Sequence, residues 1–228
     1  MSESLIDFLR ENYIWAVYAL TLIISIWSYR KYFDTALRYF PIIIAYTLFN
    51  EVLGHMIRYS ESFSLFTKEG WENVNDIIYN IYSPIFFGYF YFVYWQLNSS
   101  ARYKQIIKWA AFTMFLAFIV NAIFHDPLRI NMYYANGFAS WMLLCCIILY
   151  FINRVNWSWN HEKYNLVTWV SAGLTLFYFF FPILFFIGYF KFEIWQQYHL
   201  RTVLRILIVI MYLLFCIGFV ISRRRAFK

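Results

Sequence analysis

The polar side chains with the greatest capacity for binding or catalysis lie inside long apolar stretches of the sequence. Four of them follow one another at helical spacing: Thr47, Glu51, His55 and Arg58. Intervals of four, four and three residues put all four on one face of a helix. An ionisable group surrounded by apolar sequence normally faces the protein interior or a wet cavity and pairs with another charge. We therefore expect Glu51 to serve either a binding site or a structural ion pair.

Polar residues at the corresponding ends of other apolar stretches extend this set. We expect Glu51 to pair with Arg205 or Arg201. We expect Asp76 to pair with Arg58 or His55. Because five helices would carry polar groups at the same depth, a polar cavity at one end of a helix bundle is predicted; the alternative is that several of these groups only mark the membrane interface. The candidate ligand-binding residues are Glu51, His55, Arg58, Asp76, Asn80, Asn121, Asn136, Arg201 and Arg205.

Long stretches without charge define the elements that must hold these residues. Six such stretches contain 17 to 27 residues, and a helix needs roughly 20 mainly apolar residues to cross a membrane. The stretch between Arg38 and Arg58 has the same character despite Glu51 and His55. We predict a single domain, residues 1–228, with seven transmembrane helices at about 13–29, 37–58, 74–97, 106–125, 131–153, 164–190 and 201–222.

The composition indicates an all-α integral membrane protein. Of the 228 residues, 63% are hydrophobic and only 14% are charged, against roughly 45–50% and 25% in soluble domains. A transmembrane β-barrel would alternate polar and apolar residues along strands of about 10 residues, whereas residues 85–95 and 174–190 are apolar on every side. The net charge of +7 would indicate nucleic-acid binding only on a basic face of a soluble domain. We therefore expect no nucleic-acid partner.

Lysine and arginine are distributed unequally between the two sets of loops, which predicts the orientation. Twelve of the 19 lie after the first, third and fifth predicted helices or in the C-terminal tail, and ten of the 12 acidic residues lie toward the opposite side. We therefore expect the N-terminus outside and the C-terminus in the cytoplasm. The acidic N-terminal segment lacks the basic region of a signal peptide, so we expect the first helix to remain as an anchor. A basic cluster is expected to bind anionic lipid headgroups: Arg223, Arg224 and Arg225.

Two segments carry a resemblance to a known group of proteins. They are NEVLGH at residues 50–55 and NDIIYNIYSPIFFGYFYFVYW at residues 75–95. On these segments the chain resembles small seven-helix membrane proteins of unknown function from Bacteroidota, mainly over the second and third predicted helices. The resemblance implies seven helices and a location in the bacterial inner membrane. It brings no activity and no catalytic residues.

A polar cavity at one end, an apolar middle and a basic opposite end are typical of a ligand-binding or sensory bundle. Because no loop could hold an output domain, we expect it to act through a cytoplasmic or membrane protein partner. A transporter of small solutes or lipids is the alternative. A second alternative is an intramembrane hydrolase, in which histidines and carboxylates could bind zinc. The sequence contains no HExxH or comparable catalytic motif, which favours a protein that is not an enzyme and has no cofactor or metal.

Overall fold

In the computed structural model, the described residues are 13–59, 74–154 and 162–224, with the side chains of residues 58, 59, 74 and 75 left out. This part of the chain forms eight α-helices and a short 3₁₀ turn, Tyr29–Lys31, and it contains no strand. The helices in chain order are α1 (Tyr13–Trp27), α2 (Phe40–Tyr59), α3 (Val74–Leu97), α4 (Ala101–Phe124), α5 (Tyr133–Ile152), α6 (Leu166–Phe190), α7 (Phe192–Gln197) and α8 (Leu200–Ile221).

Five of these helices, α2, α4, α5, α6 and α8, are long and apolar enough to cross a membrane. The predicted all-α class is thereby confirmed, and the chain is a multi-pass helical membrane protein. Helix α1 has 15 residues in the described part of the chain. Helix α3 is long enough, with 24 residues. It is not among the five because its five tyrosines and two asparagines lower its mean hydropathy.

The helices begin and end close to the predicted boundaries, with two differences. Helix α4 begins at Ala101 rather than near residue 106, because Arg102 and Lys104 bound the apolar segment without interrupting the helix. The short helix α7 lies where the sequence predicts a connection. Charges therefore mark where an apolar segment ends, and a helix can continue beyond that point.

The helices pack in chain order around the bundle. Each of α1 to α6 contacts the next, and α8 closes the bundle by packing against both α6 and α1. Helix α3 also contacts α5, which leaves α4 at the periphery. Only 22% of the apolar segment of α4 is buried, against 50% of the apolar segment of α5. Large apolar side chains accordingly cover an exposed face of α4, at Ile106, Trp109, Phe112, Phe115, Ile119 and Ile123.

Two glycines allow α6 and α8 to approach closely. A Cβ added at Gly173 would lie 2.8 Å from the ring of Phe215, and one at Gly218 would lie 2.8 Å from the Cβ of Trp169. Small residues are favoured at membrane helix interfaces for this reason, since association there depends on packing rather than on the hydrophobic effect. The close contact between α6 and α8 therefore depends on glycine at both positions, because a larger side chain would clash with the facing helix.

Aromatic rings fill the centre of the bundle. The ring of Phe40 lies 5.7 Å from Phe90, 5.2 Å from Phe215 and 5.6 Å from Phe219, centroid to centroid. All four side chains are fully enclosed. Edge-to-face pairs of this kind add roughly 0.5–1.5 kcal/mol each beyond their buried area. A continuous aromatic layer thus joins the start of α2, the second half of α3 and the last two turns of α8.

Hydrogen bonds tie the connection between α1 and α2 to the end of α8 and to the residues after it. The Lys31 ammonium donates to the carbonyls of Phe219 and Val220, at 3.0 and 2.9 Å, in the last turn of α8, and partial burial lowers its pKa. Arg224 donates to the Asp34 carboxylate at 3.0 Å. A lysine on the final carbonyls of a helix satisfies groups that have no partner within the helix.

The basic cluster proposed for lipid headgroups lies at this same end. The guanidinium of Arg223 lies 4.1 Å above the ring of Tyr164, and that of Arg224 lies 5.0 Å from the ring of Phe33. Arg225 lies outside the described residues. Headgroup binding by these arginines stays a prediction.

Glu162 forms a buried polar cluster between α5 and α6. Its carboxylate, only 4% exposed, pairs with Arg154 and accepts hydrogen bonds from Asn165 Nδ2 at 3.3 Å and Thr168 Oγ1 at 3.1 Å. Asn165 also caps α6, since its Oδ1 accepts from the backbone N–H of Val167 at 3.0 Å. One carboxylate and one amide thus join Arg154, at the end of α5, to the first turn of α6.

We expect Glu162→Gln to lower the free energy of unfolding by about 1.5–3 kcal/mol, because it removes a charged acceptor that serves three donors. Thermal unfolding in detergent, followed by circular dichroism, measures the change. The control is Asp34→Asn, which weakens an exposed pair worth no more than about 1 kcal/mol. Equal stability losses in the two variants would contradict the structural role of Glu162.

Candidate functional site

A cavity of about 420 Å³ lies between six helices at one end of the bundle. It is lined by the first half of α1, α3, α5 and α8 and by the second half of α2 and α6. Helices α4 and α7 do not line it. The cavity lies at the end opposite the Lys31–Asp34–Arg224 contacts, since the last turn of α8 forms those contacts.

One part of the cavity wall is charged. Glu51 of α2 and Arg201 and Arg205 of α8 line it together. The hydroxyl of Tyr79 lies within hydrogen-bonding reach of the Glu51 carboxylate, and Arg205 is near enough to exert an attractive charge interaction on it. Residues from three helices therefore surround one carboxylate, and Arg205 is one of the two partners that the sequence predicts for it.

Hydroxyl groups form a second polar patch deeper in the cavity. The Thr47 hydroxyl donates its hydrogen to the carbonyl of Ile43 at 2.9 Å. It also lies 2.8 Å from the Tyr82 hydroxyl and hydrogen-bonds to Tyr212. Because Thr47 uses its only hydrogen on the carbonyl, both tyrosines must donate to it. This leaves the lone pairs of two phenol oxygens available beside the cavity.

Aromatic rings form the wall that α3 and α6 contribute. Phe87 and Tyr178 lie 5.2 Å apart, centroid to centroid. Phe181 stacks between Phe177 and Phe185, at 5.2 and 4.9 Å. All five rings line the cavity. An apolar body with a polar end is the kind of molecule that such walls complement.

The aromatic layer of Phe40, Phe90, Phe215 and Phe219 closes the inner end of the cavity. The cavity-lining ring of Phe86 lies 4.9 Å from Phe90, and that of Tyr212 lies 5.2 Å from Phe215. Phe90 and Phe215 are completely buried. The cavity therefore ends at the middle of the protein.

The structure brings four of the nine predicted site residues to the cavity surface: Glu51, Asn136, Arg201 and Arg205. The Asn136 side chain is buried and donates through Nδ2 to the carbonyl of Met132 at 3.0 Å. His55 lies one layer behind the surface, with its ring 4.7 Å from that of Trp15, which does line the cavity. The Arg58 side chain lies outside the described residues.

The other three predicted residues hold the connection between α4 and α5. Asn80 donates to the carbonyls of Pro127 and Ile130 at 2.8 and 2.9 Å, and its Oδ1 accepts from the Met132 N–H at 3.0 Å. Asn121 accepts from the Ala135 N–H at 3.1 Å. These amides support the rim of the cavity without lining it.

Asp76 also supports the rim of the cavity. Its carboxylate accepts a hydrogen bond from Asn131 Nδ2, and Asn131 lines the cavity. Asp76 therefore positions a lining residue and stands one layer back from the cavity surface. Pairing of Asp76 with Arg58 or His55 stays a prediction, since the Arg58 side chain lies outside the described residues.

Sequence reasoning missed two tyrosines that line the cavity, Tyr18 and Tyr212. Their rings lie 4.5 Å apart in an edge-to-face contact between α1 and α8. A signal was present for Tyr212, because it follows Arg201 and Arg205 at helical spacing, on the same face of α8. No comparable signal marks Tyr18 in the apolar sequence of α1.

Metal binding finds no support among the described residues, where no three His, Cys, Asp or Glu side chains come together in a possible metal site. The search of protein-family profiles, curated proteins and solved structures finds no match to this chain. Functional inference therefore starts from the chemistry of the cavity.

We expect a cysteine at Ser83 to react with small water-soluble thiol reagents, since Ser83 lines the cavity. The matched control is Ser171→Cys, at a fully buried serine that hydrogen-bonds to Tyr94 at 2.8 Å. Both variants are made in a background without the three native cysteines. Alkylation rates followed by mass spectrometry should favour position 83 by at least about tenfold. Equal rates would contradict an open cavity.

Proposed function

We propose that this protein is a seven-helix receptor or sensor of the bacterial inner membrane that binds a small molecule in the cavity. The observation that carries the proposal is the combination of one carboxylate, two arginines and an aromatic enclosure around the same space. The volume of about 420 Å³ falls within the range of roughly 300–1,000 Å³ found for small-molecule sites. Charged groups within a membrane bundle are expensive to bury and are typically functional.

The cavity opens on the side away from the cytoplasm in this proposal. Lysines and arginines concentrate at the opposite end, where Lys31, Arg223 and Arg224 lie, and cytoplasmic loops are enriched in these residues. The seven long helices then alternate in direction, with the N-terminus outside. The resemblance to Bacteroidota proteins supports the inner membrane as the location.

Binding is favoured over conduction because the cavity is closed on its inner side. A channel needs polar groups along its whole depth, whereas Phe40, Phe90 and Phe215 fill the bundle between the cavity and the basic end. A bound ligand would instead act on the helices that form the wall. Because the sequence provides only short connections between helices, the signal passes to a partner protein at the cytoplasmic side.

We expect native mass spectrometry of the gently solubilised protein to show a small molecule bound at one per chain. Ser83→Trp should remove it, because the indole would occupy the cavity that Ser83 lines. The control is Ile81→Trp, two residues away on the same helix, where the side chain is 55% exposed outside the cavity. Identical spectra for the wild type and Ser83→Trp would contradict the proposal.

We expect a membrane-impermeant maleimide to label Leu128→Cys in spheroplasts and to label Ser99→Cys only after the membrane is permeabilised. Leu128 lies in the connection after α4 and Ser99 in the connection before it, and both are exposed. Gel-shift detection of the label reports the orientation. The reverse pattern would place the cavity on the cytoplasmic side.

A further inference from the structure

The charges on the cavity surface do not balance. Among the described residues that line it, Glu51 is the only carboxylic acid, and it shares the surface with two arginines, Arg201 and Arg205. Glu51 already has the Tyr79 hydroxyl and the charge of Arg205 as partners. Within the described part of the chain, the Arg201 guanidinium has no hydrogen bond or ion pair. Among the described residues, this positive charge beside the apolar enclosure therefore has no counter-charge.

The two arginines occupy successive turns of α8. They are four residues apart and therefore lie on the same face, about one turn of 5.4 Å from each other. Arg201 is exposed and Arg205 is half-buried, so the charge is placed toward the mouth and the aromatic walls lie further in. Guanidinium groups bind carboxylates and phosphates through paired hydrogen bonds.

The volume of the cavity and the charges that line it limit which ligands can bind. At roughly 30 Å³ for each water-sized group, 420 Å³ accommodates about 14 such groups, which is the size of a medium-chain fatty acid. A single negative charge would neutralise the lining. A dianionic phosphate would leave an excess negative charge next to Glu51, and uncompensated charge is costly in an apolar site.

We propose that the cavity binds an amphiphile with one carboxylate and an apolar tail. The carboxylate pairs with Arg201 and Arg205 at the mouth, and the tail lies between the rings of α3 and α6 down to the aromatic layer. Glu51 holds Arg205 in place and rejects ligands with a second negative charge. This inference rests on the proposed function, because it names the ligand class of the same cavity.

The experiment uses the full chain in phosphatidylcholine nanodiscs and measures saturable binding of tritiated dodecanoate above that of empty nanodiscs. Unlabelled dodecanoate, dodecyl phosphate, dodecanol and dodecylamine are the competitors. Arg201→Gln removes the uncompensated charge, and Ser83→Trp blocks the cavity. Arg102→Gln, at an exposed arginine on α4 away from the cavity, is the matched control. Circular dichroism verifies that each variant is folded.

We expect saturable dodecanoate binding that dodecanoate displaces at least about tenfold better than any of the other three competitors. Arg201→Gln should weaken it at least about tenfold, Ser83→Trp should abolish it, and Arg102→Gln should leave it unchanged. Equal displacement by dodecanol, still abolished by Ser83→Trp, would overturn the carboxylate assignment and leave the binding cavity in place. Better displacement by dodecyl phosphate would overturn the monoanion argument.

Absence of saturable binding would also overturn the ligand class. Native mass spectrometry of the wild type and Ser83→Trp then decides separately whether the cavity binds another molecule. The failure of the ligand class is thus distinguishable from the failure of the proposed function.

Discussion

The enclosure of Glu51 among membrane helices is the constraint on which the candidate site depends. Removing a carboxylate from water costs several kcal/mol unless other groups replace the lost solvation. Here the Tyr79 hydroxyl lies within hydrogen-bonding reach and Arg205 supplies an opposite charge. These partners come from α3 and α8, so solvating one side chain of α2 fixes three helices relative to one another at that end of the bundle.

The two ends of the bundle differ in how a buried carboxylate is surrounded. At the basic end, the Glu162 carboxylate is buried and enclosed by Arg154, Asn165 and Thr168. At the other end, Glu51 borders a cavity of about 420 Å³. The enclosed Glu162 cluster stabilises the fold, whereas charged groups that border a cavity can contact a ligand. The difference supports a structural role for the Glu162 cluster and the proposed binding role for the cavity.

Much of this arrangement could be predicted from the sequence because membranes impose strong constraints. The lengths of the uncharged stretches predict the helices, and the spacing of Thr47 and Glu51 predicts that both lie on one face, as they do at the cavity. The proximity of Arg205 follows from the cost of an unpaired carboxylate. These predictions depend on the helical spacing of polar residues and on the positions of charged residues, which can be read directly from the sequence.

The roles of the amide side chains could not be predicted in the same way. Asn80 and Asn136 both lie near the polar end of a helix, yet Asn80 serves backbone groups of the α4–α5 connection and Asn136 lines the cavity. Which of these occurs depends on the path of that connection. Tyr18 was missed for a similar reason, since its ring packs on α8, a helix far away in sequence.

The interaction between Glu51 and Arg205 can be measured by a double-mutant cycle. Glu51→Gln, Arg205→Gln and the double variant are compared with the wild type by thermal or SDS-induced unfolding in detergent. The account predicts a favourable coupling of at least about 0.5 kcal/mol, as for residues that share one charge network. Additive effects of the two substitutions would contradict it, because α2 and α8 would then not be joined through this pair.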